Sequence, residues 1–192
     1  MSNQVKLVGR IASLFTFSHT LYGENFYNVT LCVRRDSGNA DMIPLIVSDR
    51  LIDVNKNLVA CYMYVSGEFR SYNQHDTDKS RLKLYVFVNS IEAAEPTNIN
   101  DVFLEGYICK QPIYRHTPLG REIADVMLAV NRSYNKSDYI PCIVWGRNAY
   151  YIKSLTAGDR IRVAGRIQSR KYLKNGEAKV AYELSVNLLE VC

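Results

Sequence analysis

Tyr139 and Trp145 stand six residues apart in the segment DYIPCIVW. On an extended strand side chains alternate, so both face one side, together with Pro141 and Ile143. Ile140, Cys142 and Val144 face the other side, which is uniformly apolar and reads as core. In the stretch from Arg160 to Arg170 and on to Tyr172, Val163, Gly165 and Ile167 face inward, while Arg162, Arg166, Gln168, Arg170 and Tyr172 face outward. Taken as adjacent strands, the two segments put rings and guanidinium groups on one sheet. That combination suits single-stranded nucleic acid, with cations for phosphates and rings for bases to stack on. An outward Tyr alone would serve strand pairing equally well; the chain's single Trp beside three Arg makes binding the better reading.

Other chemistries find little support. The five cysteines are scattered without a C-x-x-C, and the three histidines, His19, His75 and His116, lie near neither a Cys nor one another. A structural zinc needs four clustered ligands, so no metal and no cofactor are expected. No P-loop, Ser/His/Asp set or carboxylate pair suggests an enzyme. Asp41 and Asp138 sit at strand entries, and His19 and His116 near turns, where local turn roles are expected. Free thiols and an N-terminus without an apolar h-region suggest a reducing cytoplasm. No apolar run reaches the ~18–20 residues of a membrane span.

The elements that must position these residues occur twice. Val5, Leu7, Gly9 and Ile11 recur as Val102, Leu104, Gly106 and Ile108, and Asp41, Ile43, Pro44, Ile46 and Arg50 recur as Asp138, Ile140, Pro141, Ile143 and Arg147, all 97 residues apart. After one inserted residue the offset is 98, pairing Val65, Gly67 and Ser71 with Val163, Gly165 and Ser169. So regular a register implies two copies of one domain, 1–94 and 99–192, joined by a short polar linker containing Pro96.

Within the second copy, period-two alternation marks strands at 102–108, 124–130 and 139–145. RNAYYIKSLT at 147–156 has helical spacing and ends at Gly158. Strands follow at 160–170 and 179–189, joined by a KNGE hairpin turn. Three strands, a helix and two strands is the element order of the OB-fold, a five-stranded Greek-key barrel. The fold class is therefore all-β, with two tandem OB barrels, each carrying a short helix between strands three and four. A β-sandwich is the runner-up.

The copies differ in charge. Residues 1–97 hold ten Lys/Arg and ten Asp/Glu, whereas residues 98–192 hold fourteen and nine, so the whole excess of +5 lies in the second copy. Its last hairpin reads RKYLKNGEAK; the first copy has the acidic YNQHDTDKS there, Ser48 in place of Trp145 and Met42 in place of Tyr139. The first copy thus has a reduced binding face, retaining Arg70 and Tyr72 as weaker candidates.

The segments HTPLGRE (116–122), LAVNRSY (128–134), DYIPCIVWGRNA (138–149) and GRIQSRKY (165–172) resemble, in order and spacing, the bacterial single-stranded DNA-binding protein family. The first copy is similar to it only through GRIA, HTLYG and VSGEFRSY. The resemblance implies an OB barrel over which single strands wrap, with base-stacking positions on Tyr134, Tyr139, Trp145 and Tyr172. The accompanying candidate cations are Arg132, Arg147, Arg162, Arg166, Arg170, Lys171 and Lys174. It implies largely sequence-independent binding in DNA replication, repair or recombination; the alternative is a primosomal accessory protein or protein-interaction module of the same fold. Family members usually carry an acidic-tipped tail, and this sequence stops at LLEVC, so recruitment of replication proteins through such a tail is not expected. The family assembles four OB units, so two per chain imply a homodimer. In keeping with this, VACYMYV at 59–65 reads as a strand with Tyr62 and Tyr64 where the second copy has Arg160 and Arg162.

Overall fold

A computed structural model describes residues 2–76 and 79–192. Its elements are β1 (Asn3–Ile11), β2 (Thr16–Leu21), β3 (Glu24–Arg34), β4 (Ala40–Ser48), β5 (Tyr62–Asp76), β6 (Lys79–Ala93), β7 (Ile99–Ile108), β8 (Ile113–His116), β9 (Glu122–Arg132), β10 (Lys136–Trp145), α1 (Arg147–Ile152), β11 (Arg160–Lys174) and β12 (Glu177–Val191). Part of the acidic hairpin YNQHDTDKS, residues 77–78, lies outside the described residues.

In the second copy β7 pairs with β11, β11 with β12, β12 in parallel with β10, β10 with β9, and β9 again with β7. The ring closes, so the barrel's five strands leave no unpaired edge within the ring. The first copy closes the same way through β1, β5, β6, β4 and β3. Both are OB barrels. Alternation drives closure: Leu104, Leu128, Ile140, Val144, Val163, Ile167 and Leu184 fill one interior, Leu7, Leu31, Ile43, Leu45, Val65, Phe69 and Val86 the other. Each such side chain contributes roughly 1.5–3 kcal/mol on burial. The barrel wall is tight at Gly106 and Gly165, where a Cβ would overlap the carbonyl oxygen of Ala129 or Ser185 on the next strand.

Compactness divides the chain into one unit of Gln4–Arg70 and Leu84–Asp101 and another of Met1–Asn3, Ser71–Lys83 and Val102–Cys192. The arm Ser71–Lys83 therefore groups with the second copy. Its anchor is Ser71: the backbone N–H of Ser71 donates to Asp138 Oδ1 at 2.9 Å, and the Ser71 hydroxyl accepts the Tyr139 N–H at 2.7 Å.

Five features depart from the sequence reading. The first copy has no helix between its third and fourth barrel strands. Residues 49–61 form turns, because Asp53 and Asn57 accept the N–H groups of Asn55 and Val59, both at 3.1 Å, and so compete with helical bonding. The helix of the second copy is shorter than expected, ending at Ile152, and only Ala149 and Ile152 are buried from it. Short strands β2 and β8 add to β3 and β9 where turns alone were expected. The strand expected from Val59 begins at Tyr62, since Ala60 has φ 73°. Asp41 and Asp138 are not turn residues. Both carboxylates are buried, and each meets an Arg six positions earlier: Arg35 Nε donates to Asp41 at 2.7 Å, and Arg132 Nη1 lies 3.6 Å from Asp138.

Candidate nucleic-acid interface

The barrel ring places β12 between β10 and β11, so the strands carrying the aromatic and arginine residues are not neighbours, as the sequence reading had them. β12 is inserted in parallel beside β10, with Ile143 opposite Ser185, and Ser185 is opposite Arg166. Residues directly opposite point the same way. The outward side of the sheet thus carries Tyr139 and Trp145 from β10, Glu183 and Ser185 from β12, and Arg166, Gln168, Arg170 and Tyr172 from β11.

The intervening strand orients the others. Trp145 Nε1 donates to Ser185 Oγ at 3.0 Å, which leans the half-buried indole over β12. Gln168 Nε2 donates to Glu183 Oε1 at 3.0 Å, and Arg166 Nη2 donates to Gln168 Oε1 at 3.3 Å. Ser185 was missed by the sequence reading because the parallel insertion of β12 beside β10 cannot be seen in local periodicity, and Glu183 was missed although the β11–β12 hairpin that sets it opposite Gln168 was expected.

Tyr139 is 45% exposed and Tyr172 39%. Arg170, Tyr172 and Lys174 lie on the exposed arm of β11, and alternation sends Lys171 to the opposite side from Arg170 and Tyr172. The arm ends in a two-residue turn with positive φ at Asn175 and Gly176, the conformation an Asn-Gly hairpin favours. Tyr134 is at the β9–β10 turn, 94% exposed. Arg147 opens α1 and is exposed. In the first copy, Arg70 lies over the Phe87 ring, and Tyr72 is exposed at the start of the Ser71–Lys83 arm.

Among the described residues, the candidate cations Arg132 and Arg162, and the weaker candidate Arg70 through Glu68, have acidic partners. Arg132 faces the buried Asp138. Arg162 Nε donates to Glu105 Oε2 at 2.9 Å, and Arg160 also pairs with Glu105. These bonds, from Arg162 first and Arg160 second, hold the Glu105 carboxyl below the usual carboxylate range, and the same bond raises the Arg162 guanidinium.

β8 and α1 add a cluster that the sequence reading did not find. The Tyr114 hydroxyl donates to Glu122 Oε1 at 2.6 Å, and its ring meets Tyr150 edge-on at 6.3 Å and His116 at 5.5 Å. Lys153 Nζ lies 5.1 Å from the Tyr114 ring centre. His116 is thus a strand residue packed on a ring rather than a turn stabiliser. Tyr150 and Lys153 are three apart on a helical stretch, a spacing that could have signalled the pair.

Burial pushes the Cys142 thiol up, away from the thiolate a nucleophile needs. Among the described residues no group of three or more His, Cys, Asp or Glu could hold a metal ion. No helix there is long and apolar enough to cross a membrane.

Residues 99–192 match the single-strand binding protein family. "Single-stranded DNA-binding protein 2" of Listeria monocytogenes is 36% identical over 89 residues, which are 43% of this chain and 56% of the relative. "Single-stranded DNA-binding protein 1" of Staphylococcus aureus is 37% identical over 95 residues, 46% of this chain and 56% of the relative. The matched residues thus span a little over half of each relative. The crystal structure of the wild-type single-stranded DNA binding protein from Thermus aquaticus superposes with a TM-score of 0.79 at 19% identity, covering 99% of this chain and 92% of that one. That likeness shows the fold across both copies.

Proposed function

We propose that this chain, which belongs through residues 99–192 to the single-strand binding protein family, binds single-stranded DNA with little sequence preference and without catalytic turnover. It would hold exposed strands during replication, repair or recombination in the cytoplasm. The observation that carries the reading is the single outward face on which Tyr139, Trp145 and Tyr172 share a side with Arg166 and Arg170. Bases stack on the rings, and phosphates lie along the arginines. Tyr134, Arg147 and Lys174 extend the path beyond the sheet. Arg132 and Arg162 contribute less, because each already has a carboxylate partner.

Titration with oligo-dT tests this. Stacking on the chain's one Trp quenches its fluorescence, and affinity falls with salt by about 0.7 per bound phosphate in the log–log slope. A folded protein that shows no quenching at low salt refutes the reading.

As sequence repeats the domains are the copies 1–94 and 99–192, although by compactness Ser71–Lys83 groups with the second, and the assembly is a homodimer with twofold symmetry. What supports the dimer is the family's use of four OB units and the pair Tyr62 and Tyr64, on the strand position where the second copy has Arg160 and Arg162. Light scattering on a dilute solution decides it: a mass near 22 kDa rejects the dimer, and twice that supports it.

A further inference from the structure

The chain holds one Asn-Gly pair, Asn175-Gly176, at the tip of the arm formed by β11 and β12. The strand ladder closes just before it, with Lys174 opposite Glu177. The two turn residues lie beyond the ladder, at φ 53° and 76°. Both are exposed, and a Cβ on Gly176 would meet no atom within 4 Å. Among the described residues, the Gly176 N–H donates to no carbonyl and the Asn175 amide has no hydrogen-bond partner. Other glycine turns differ: the Gly38 N–H donates to Arg35 O at 2.9 Å and the Gly120 N–H to Thr117 O at 2.8 Å.

Both groups of one reaction are thus unengaged. The Gly176 backbone nitrogen attacks Asn175 Cγ and gives up its proton. The Cγ–Nδ2 bond breaks, and Nδ2 leaves as ammonia with that proton. The five-membered imide so formed takes up one water and opens to aspartate or isoaspartate. The sum is amide and water to carboxylate and ammonium, with no oxidant or cofactor. Glycine favours the step because no Cβ crowds its nitrogen and its backbone turns most freely into the ring. Asn135 provides a comparison within the chain. It too has a positive φ, 55°, but Lys136 follows it, with a Cβ beside its nitrogen and a place in the β9–β10 ladder opposite Arg132.

The new charge falls on the basic arm. From Arg170 to Lys179 there are four cations, Arg170, Lys171, Lys174 and Lys179, against Glu177, a net of +3. A carboxylate at 175 lowers that by one. We propose that Asn175 is a spontaneous deamidation site, and that its conversion to aspartate or isoaspartate weakens the arm's hold on phosphates as the protein ages. The effect on binding rests on single-stranded DNA being the ligand of the second copy; the chemistry at Asn175 does not.

Ageing the full chain at neutral and at mildly alkaline pH, followed by cleavage after arginine, tests both parts. Residues 171–192 should gain about 1 Da at Asn175, faster at the higher pH because the attacking nitrogen must lose a proton. They should also become a substrate for an isoaspartate methyltransferase, while residues 133–147, which hold Asn135, stay unchanged. Aged protein and Asn175→Asp should bind oligo-dT about two- to fivefold more weakly at low salt, and the gap should close as salt screens the added charge. Asn175→Gly keeps a turn-forming pair and should hold its affinity with age. A folded chain that stays unmodified at Asn175 while the denatured chain is converted overturns the site. Conversion without a change in affinity overturns its role on the arm. Fresh protein that binds no oligo-dT refutes the second-copy reading, and the mass change then decides the site by itself.

Discussion

Replacing Trp145 by Ala removes the largest ring from the outward face and, with it, one base-stacking surface. One stacked base is worth roughly 1–3 kcal/mol, so Kd for oligo-dT should rise about 5- to 150-fold, at about 1.4 kcal/mol per tenfold. The ring also loses its bond to Ser185. That bond is worth about 0.5–1.5 kcal/mol, but it exists in the free protein and its loss falls on stability rather than on binding. Trp145→Phe separates the two contributions, since it keeps a ring and removes the N–H donor. It should bind within a few-fold of the parent. The assay is anisotropy of a labelled oligo-dT, because the variants lack the intrinsic fluorophore. The salt slope should not change in either variant, as the indole touches no phosphate. A folded Trp145→Ala protein that binds within about twofold of the parent refutes stacking at this position. So does a Trp145→Phe protein that loses as much as Trp145→Ala.

Arg166→Ala with Arg170→Ala should flatten the log–log salt slope by about 0.7 for each phosphate no longer neutralised, whereas Arg162→Ala, already paired with Glu105, should change it less; salt titrations of these variants against the parent check this. Asp138→Ala leaves the Ser71 N–H and the Arg132 guanidinium without their carboxylate, and urea melts should show a loss of about 2–4 kcal/mol. Gly165→Ala forces a Cβ into the Ser185 carbonyl and should cost about 1–3 kcal/mol in the same assay. As pH falls, Glu105 should keep its charge below the ordinary carboxylate range. The stability it adds is present above its unfolded value and is lost only as pH falls through the lower folded one, which carboxylate chemical shifts can follow.

Much of the fold is written in local pattern. Alternation at 102–108 and 139–145 records a strand with one wet face, the 97-residue register records a duplicated barrel, and Asn175-Gly176 records a hairpin turn. Each depends on residues within a few positions of one another, or on comparing the chain with itself. The helix expected in the first copy failed because Asp53 and Asn57 hold turns there, a competition between side chain and backbone that the repeat register could not show.

What tertiary structure alone decided was neighbourhood. Closing the ring put β12 beside β10, which is why Ser185 meets Trp145 although the two are forty residues apart. The same closure brought His19, Phe26, Phe87 and Arg70 into one strip, although position-by-position comparison with the second copy had found only a missing Trp. A single sequence states which side of its own strand a residue faces, because that follows from a period of two. Which strand lies alongside depends on how the barrel closes, and only the folded chain brings distant residues within the few ångströms at which rings and charges act.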